Sequence, residues 1–211
     1  MKRVLLFAAI VLSCVTCLHA QDIGTVILTM PSGVIGGLDT VTKDKLISNQ
    51  EDTVAIVVER GEFGSAKRLA FSPDYIEVQT SDVGTTQIKL LSLINDTKII
   101  CVVKTVCAKV CDSQIQFYTT NWIPIPQSGL LPDLNKEWFI KADVDKDNTH
   151  FQNAYIALDM TPMKIRLYPD NTNMEIHYEI DNYLSAEDYK EIESYLIKEP
   201  KILTWDKASF K

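Results

Sequence analysis

Three cysteines, Cys101, Cys107 and Cys111, fall within eleven residues, and thiols this close can bridge, ligate a metal or act as nucleophiles. A tetrahedral zinc site needs four ligands, and no second Cys or His cluster completes one. Cys101 sits inside an apolar run, 99–103, where it reads as a small buried hydrophobe rather than an activated thiolate. Cys107 and Cys111 flank a short connection and could bridge if the flanking strands place them opposite each other. A loop this short gains about 2 kcal/mol in the chain-entropy account of a disulfide.

The acidic stretch Asp143-Val144-Asp145-Lys146-Asp147 resembles the start of an EF-hand loop. The pattern then breaks: Asn148 stands where the loop needs glycine, His150 where it needs an aliphatic residue, and Ala154 where it needs the bidentate glutamate. A solvated acidic turn is the expectation. His150 and His177 are the histidines beyond the leader, and neither belongs to an HExxH pair. No GxSxG elbow is present. Gly33, Gly36 and Gly37 lack the GxGxxG spacing and the Lys-Ser/Thr pair of a phosphate loop, so they read as a connection. Glu187/Asp188 and Glu191/Glu193 belong to the outer face of a helix. Catalytic, cofactor-binding and metal-ligating residues are therefore none, with one arrangement that spacing cannot reveal, two distant carboxylates meeting in a cleft.

The elements that would position these groups follow from periodicity. Residues 98–122 read as a central hairpin. The β-branched run 99–103 suits a strand covered on both faces, and 114–121 alternates Ile115 and Phe117 with Gln114, Gln116 and Tyr118. Upstream, residues 23–30 and 53–59 look strand-like, and a short helix is expected over 42–47. From Arg68 onward short strands separated by turn residues make a meander, with Ile76 and Val78 opposite Glu77 and Gln79, then Ile88 and Leu90 opposite Gln87 and Lys89. Pro124, Pro126, Gly129 and Pro132 mark a linker that resists regular pairing. Strands are expected over 154–158, 164–168, 175–180 and 202–205. A helix is expected from Ala186 to Lys198, with Ser185 and Asp188 as a capping box and Ala186, Tyr189, Ile192 and Leu196 on one face. Phe117, Tyr118, Trp122, Trp138, Phe139, Tyr155, Tyr168 and Trp205 are expected mainly as core, although Tyr118 lies on its strand's polar face.

The fold class is thus α+β, a mainly antiparallel meander with a C-terminal amphipathic helix in two small subdomains. Residues 1–20 form a signal peptide, with Lys2 and Arg3 before an apolar stretch and Ala20 at the cleavage point. The N-terminal subdomain covers 21–122, a Pro-rich linker 123–136, and the C-terminal subdomain 137–211. The stretch around Cys14 loosely matches a lipoprotein box, which would anchor the chain through that residue instead. After cleavage nothing remains that could span a bilayer. The mature chain keeps 19 basic against 28 acidic residues, a net charge of −9, which argues against nucleic acid.

Ile100-Cys101-Val102-Val103-Lys104-Thr105, followed by Asp112-Ser113, Phe117-Tyr118 and Trp122, resembles a family of exported proteins of unknown function found in Bacteroidales. The likeness extends to Met30-Pro31, Asp74-Tyr75-Ile76, Leu90-Leu91, Leu184-Ser185 and Trp205. The family continues past Met30-Pro31 into a longer helix, where this chain has its three glycines. The resemblance implies export and brings no catalytic residue. Asp39-Thr40-Val41 and Asp52-Thr53-Val54 match a short O-glycosylation pattern of exported Bacteroidetes proteins, and Asn95-Asp96-Thr97 an N-glycosylation acceptor. The expected function is a non-catalytic periplasmic or surface-associated module that binds a protein or glycan partner. The alternatives are a hydrolase whose carboxylates meet in the fold, and an envelope structural or assembly factor.

Overall fold

A computed structural model of the chain describes residues 22–48 and 55–211. The expected leader, Cys14 and the tripeptide at Asp52 lie outside them. Seven strands follow one another across a single antiparallel sheet in sequence order. They are β1 (Ile56–Glu59), β2 (Ser65–Ser72), β3 (Tyr75–Gln79), β4 (Gly84–Ser92), β5 (Lys98–Cys107), β6 (Cys111–Thr119) and β7 (Pro124–Ile125). β5 is the spine: it pairs with β4 from Ser92↔Lys98 to Gly84↔Val106 and with β6 from Ile99↔Thr119 to Cys107↔Cys111. Its apolar run is buried on both faces, as a β-branched strand without alternation requires.

The two faces have different covers. Ile76, Val78, Ile88, Leu90, Ile100 and Val102 meet two helices, α1 (Ile23–Leu28) and α2 (Thr40–Ile47). The expected strand over 23–30 is corrected here to a helix. Ile23, Val26, Ile27 and Met30 recur at i, i+3, i+4 and i+7, and all four are buried. Asp22 caps the first turn, accepting from the Thr25 amide at 2.8 Å. The indole Nε1 of Trp122 donates to the Val26 carbonyl at 3.0 Å, holding α1 on the sheet. Beyond Pro31 the chain makes successive turns, tucking Val34, Ile35 and Leu38 into the same core.

The opposite face, carrying Tyr75, Leu91, Ile99, Cys101, Val103, Ile115 and Phe117, meets a three-stranded sheet. That sheet is β8 (Met163–Leu167), β9 (Asn173–Tyr178) and β10 (Lys201–Thr204), in the order β10-β9-β8. The segment 123–136 runs along this seam. β7 pairs Ile125 with Phe117 and Pro124 with Tyr118, and Leu131 is buried in the same cluster. Proline is compatible with that pairing because β7 is an edge strand.

The strand expected over 154–158 is corrected to the end of a helix, α3 (Thr149–Ile156). Asn148 caps it by accepting from the amides of His150 (2.8 Å) and Phe151 (3.4 Å). Phe151, Ala154, Tyr155 and Leu158 form its apolar stripe. A short α4 (Ile180–Tyr183) precedes α5 (Ala186–Ile192), which Ser185 caps by accepting from the Asp188 amide at 3.1 Å. α5 is shorter than expected: a 3-10 turn over Glu193–Tyr195 ends it while keeping Leu196 buried with Ile192. No described helix is long and apolar enough to cross a membrane.

Candidate functional site

A cavity of about 810 Å³ lies beside β6. Ser113, Gln114, Ile115 and Gln116 form one wall, Gln127, Ser128 and residues 131–134 the other, and Ile165 of β8 contributes from the second sheet. The sequence places these residues by three independent devices. Alternation in β6 turns Ile115 into the core, leaving Gln114 and Gln116 exposed. A single turn, with Leu130 and Leu131 amides both donating to the Gln127 carbonyl, folds the Pro-rich segment across the groove. Leu131 is 8% exposed and pins that turn to the core.

Hydrogen bonds between the sheets fix the groove's floor. The amides of Met163, Ile165 and Leu167, on the edge of β8 away from β9, have no neighbouring strand. They donate to side chains of the large sheet: Asp112 Oδ1 (3.2 Å), Ser113 Oγ (3.0 Å) and Gln87 Oε1 (2.7 Å). Ser113 Oγ also shares a 2.8 Å hydrogen bond with Thr105 Oγ1. Gln127 Nε2 donates to the Ile115 carbonyl, a hydrogen bond from a loop side chain to the β6 backbone. The lining therefore consists of amides, hydroxyls and aliphatic groups, with Asp133 its one charged side chain.

Cys107 and Cys111 stand opposite each other as the last pair of the β5–β6 ladder, with Cα atoms 4.0 Å apart, and are joined as a disulfide. Cys101 is a free, fully buried thiol, and burial alone pushes its ionisation well above the ordinary range. The stretch 143–147 is exposed apart from a half-buried Val144. Within it Asp145 Oδ1 accepts from the Asp147 amide at 3.0 Å, and Lys146 reaches Glu137 at 2.8 Å. Among the described residues no three of His, Cys, Asp and Glu gather into a set able to hold a metal ion.

His177 and His150 end up apart in character. His150 is exposed in the first turn of α3. His177 Nε2 lies 2.7 Å from Glu175 Oε1 on β9, and the Tyr168 hydroxyl donates to the other oxygen of that carboxylate. The tyrosine hydrogen bond, more than the histidine, holds the Glu175 carboxyl below its usual range. Arg166 stacks over the Tyr168 ring at 4.9 Å. This cluster brings an acid, an imidazole and a phenol together, which neighbouring positions on paired strands allow but sequence spacing alone does not announce.

Of the aromatic set, Phe117, Trp122, Phe139 and Trp205 are buried, while Tyr118, Trp138, Tyr155 and Tyr168 are half-buried. Tyr118 packs against Trp122 with ring centroids 5.4 Å apart. None of the eight lines the groove beside β6. Thr40 and Val41 are exposed at the start of α2, and Asn95-Asp96-Thr97 forms the β4–β5 turn, with Asn95 Oδ1 accepting from Thr97 Oγ1 at 2.7 Å.

Residues 15–210 match a family described as protein of unknown function, DUF3256. A solved structure of a domain of an uncharacterized protein from Porphyromonas gingivalis W83 has a similar fold, with a TM-score of 0.80 and 25% sequence identity, over 89% of this chain and 96% of that one. No curated protein matches the chain.

Proposed function

The chain belongs to the DUF3256 family of proteins of unknown function, and on that premise we propose that it is an exported, non-catalytic module that binds a protein or glycan partner in the groove beside β6. The observation that carries this reading is the groove itself. Its volume of about 810 Å³ is in the range that ligand sites occupy. Apart from the Asp133 carboxylate its polar groups are neutral amides and hydroxyls, which orient a ligand without offering a paired acid and base or an activated nucleophile. Export is supported by the charged and apolar pattern of the first twenty residues.

The test is affinity capture from the cell envelope of the source organism with the full mature chain, beside a variant whose groove is filled, Gln114→Arg with Ser128→Arg. A partner retained by the native chain and lost by the variant is expected; equal recovery by both refutes the groove as the binding site. Mass spectrometry of the mature N-terminus checks the address. Cleavage after Ala20 supports the soluble form, and an acylated Cys14 overturns it. The hydrolase reading has one observation in its favour, the Tyr168–Glu175–His177 cluster beside a small cleft of about 170 Å³ that His177 borders. Turnover of nitrophenyl esters or glycosides, abolished by Glu175→Gln, would establish it in place of the binding module.

A further inference from the structure

The inner edge of β6 is fully used, and its outer edge is not. Nine residue pairs join β6 to β5, whereas β7 pairs with Phe117 and Tyr118. Which backbone groups face outward follows from the alternation of the ladder. The Cys107 amide donates to Val83 O at 2.8 Å, so the odd-numbered residues of β5 turn toward β4 and the even-numbered ones toward β6. Their partners Asp112, Gln114, Gln116 and Tyr118 turn back to β5. Ser113, Ile115, Phe117 and Thr119 must then turn outward. Two contacts agree with this assignment: Thr119 N donates outward to Ile123 O at 2.8 Å, and Ile115 O receives Gln127 Nε2.

The backbone of Ser113 and the amide of Ile115 therefore face the groove as an unextended ladder, at the place where the cavity of about 810 Å³ lies. We infer that the groove takes an extended peptide segment of a partner protein, added as a further strand on the outer edge of β6. This inference rests on the proposed binding role of the groove and specifies its occupant. The stretch of β6 beyond β7, residues 111–116, spans about 20 Å at strand rise, room for roughly six peptide residues. An added strand would exchange hydrogen bonds with Ser113 and Ile115 and displace the Gln127 amide from the Ile115 carbonyl.

Two features favour a peptide over a glycan. The lining contains no aromatic ring, so a sugar would find no apolar platform for its ring face. The outward backbone groups recur every second residue, which is the repeat of an extended chain and not that of a sugar polymer. Charge sets the composition. Asp133 is the one charged lining residue and the chain carries a net charge of −7, so the segment is neutral or basic, with a cation opposite Asp133.

The test uses the native mature chain with two probes, a displayed random heptapeptide library and a set of neutral dextran, xylan and mannan fragments. Selected peptides are expected to slow hydrogen exchange at the Ser113 and Ile115 amides by about tenfold or more, with Gln114 and Gln116 unchanged because their amides already bond to β5. Gln127→Ala is expected to tighten peptide binding about fivefold, since the Ile115 carbonyl is no longer contested; a peptide held only by side chains would bind this variant more weakly. Peptides that bind the groove without protecting Ser113 and Ile115 overturn strand addition and leave the binding role standing. Oligosaccharide binding with no selected peptide does the same. Binding of neither probe set overturns both.

Discussion

Lys89 lies on β4 beneath the second sheet and is 2% exposed, yet it carries an ammonium. Its Nζ is 3.1 Å from Asp74 Oδ2 and 3.2 Å from the Pro169 carbonyl, and it stands 5.8 Å from the centroid of the Tyr75 ring. The two partners are unequal. Asp74 is 39% exposed at its side chain and also accepts from Ser72 Oγ at 2.9 Å. Asp74→Ala strands a buried cation with a carbonyl and a ring face. Breaking one side of a buried pair costs roughly 3–5 kcal/mol, and water entering at the partly exposed carboxylate position reduces this to about 2–3. Lys89→Met removes the cation and keeps the aliphatic stem. Asp74 then keeps water as a partner, and the single Ser72 hydroxyl proton is shared between Asp74 Oδ1 at 2.9 Å and Pro169 O at 3.3 Å, so the cost stays at about 1 kcal/mol. Urea unfolding at neutral pH should rank Asp74→Ala well below Lys89→Met, with the double variant recovering most of the loss. If Lys89→Met is the worse variant, or the two effects simply add, the ammonium is not a buried charge that depends on Asp74.

Four further outcomes follow from local geometry. Gly37 has φ +75°, and a Cβ there would lie 2.7 Å from both Arg60 O and a Phe63 ring carbon, whereas Gly61 at φ +60° has open space; in parallel thermal melts Gly37→Ala should lose more than about 2 kcal/mol and Gly61→Ala about 1. Asn148→Ala should cost about 1 kcal/mol in denaturant titrations, and Asn148→Asp should restore most of it, because either side chain can cap α3. Burial, and then the Glu137 carboxylate that accepts its proton, push the Tyr155 hydroxyl up to about 12, while an unfolded tyrosine ionises near 10. The folded chain thus holds the extra proton between these values, so this contribution to stability is present below about pH 10 and is lost as pH rises through about 12, a loss absent in Tyr155→Phe. Cys101 should resist a thiol-specific disulfide reagent in the native protein and react once the chain unfolds, which a stopped reaction with and without urea will show.

Much of the large sheet is legible in the sequence because its signals are local. Ser72-Pro73-Asp74 and Asn95-Asp96 mark turns, and the β-branched run of β5 can be covered only on both faces. Ser185 and Asp188 similarly identify the start of α5. The misread elements are those where side-chain type and spacing disagree. Ile23, Val26 and Ile27 have β-branched side chains that favour a strand, but their spacing with Met30 is helical, and burial against the sheet decides for the helix. Phe151, Ala154, Tyr155 and Leu158 carry the same helical spacing in α3. Gln87 and Lys89 look like the wet face of a half-buried strand, yet they are 4% and 2% exposed. A second sheet more than seventy residues downstream covers them, and no local pattern registers such a cover. The groove was hidden for the same reason, since its walls come from β6, the turn at Gln127 and Ile165.

The unequal treatment of two strand edges gives the groove its meaning. A bare edge invites unwanted pairing, and proteins ordinarily block it. β8 is blocked thoroughly: the amides of Met163, Ile165 and Leu167 are each taken by a side chain rooted in the large sheet. Breaking those bonds would separate the two sheets and expose their shared core. Facing the groove, the Ile115 carbonyl is met by Gln127, a residue of the exposed turn. That amide can be exchanged for an incoming backbone amide without moving the core, because β6 stays fixed to β5 along its whole inner edge. A peptide taken up as proposed would add to a rigid template, and the ordering cost of binding would fall mainly on the peptide.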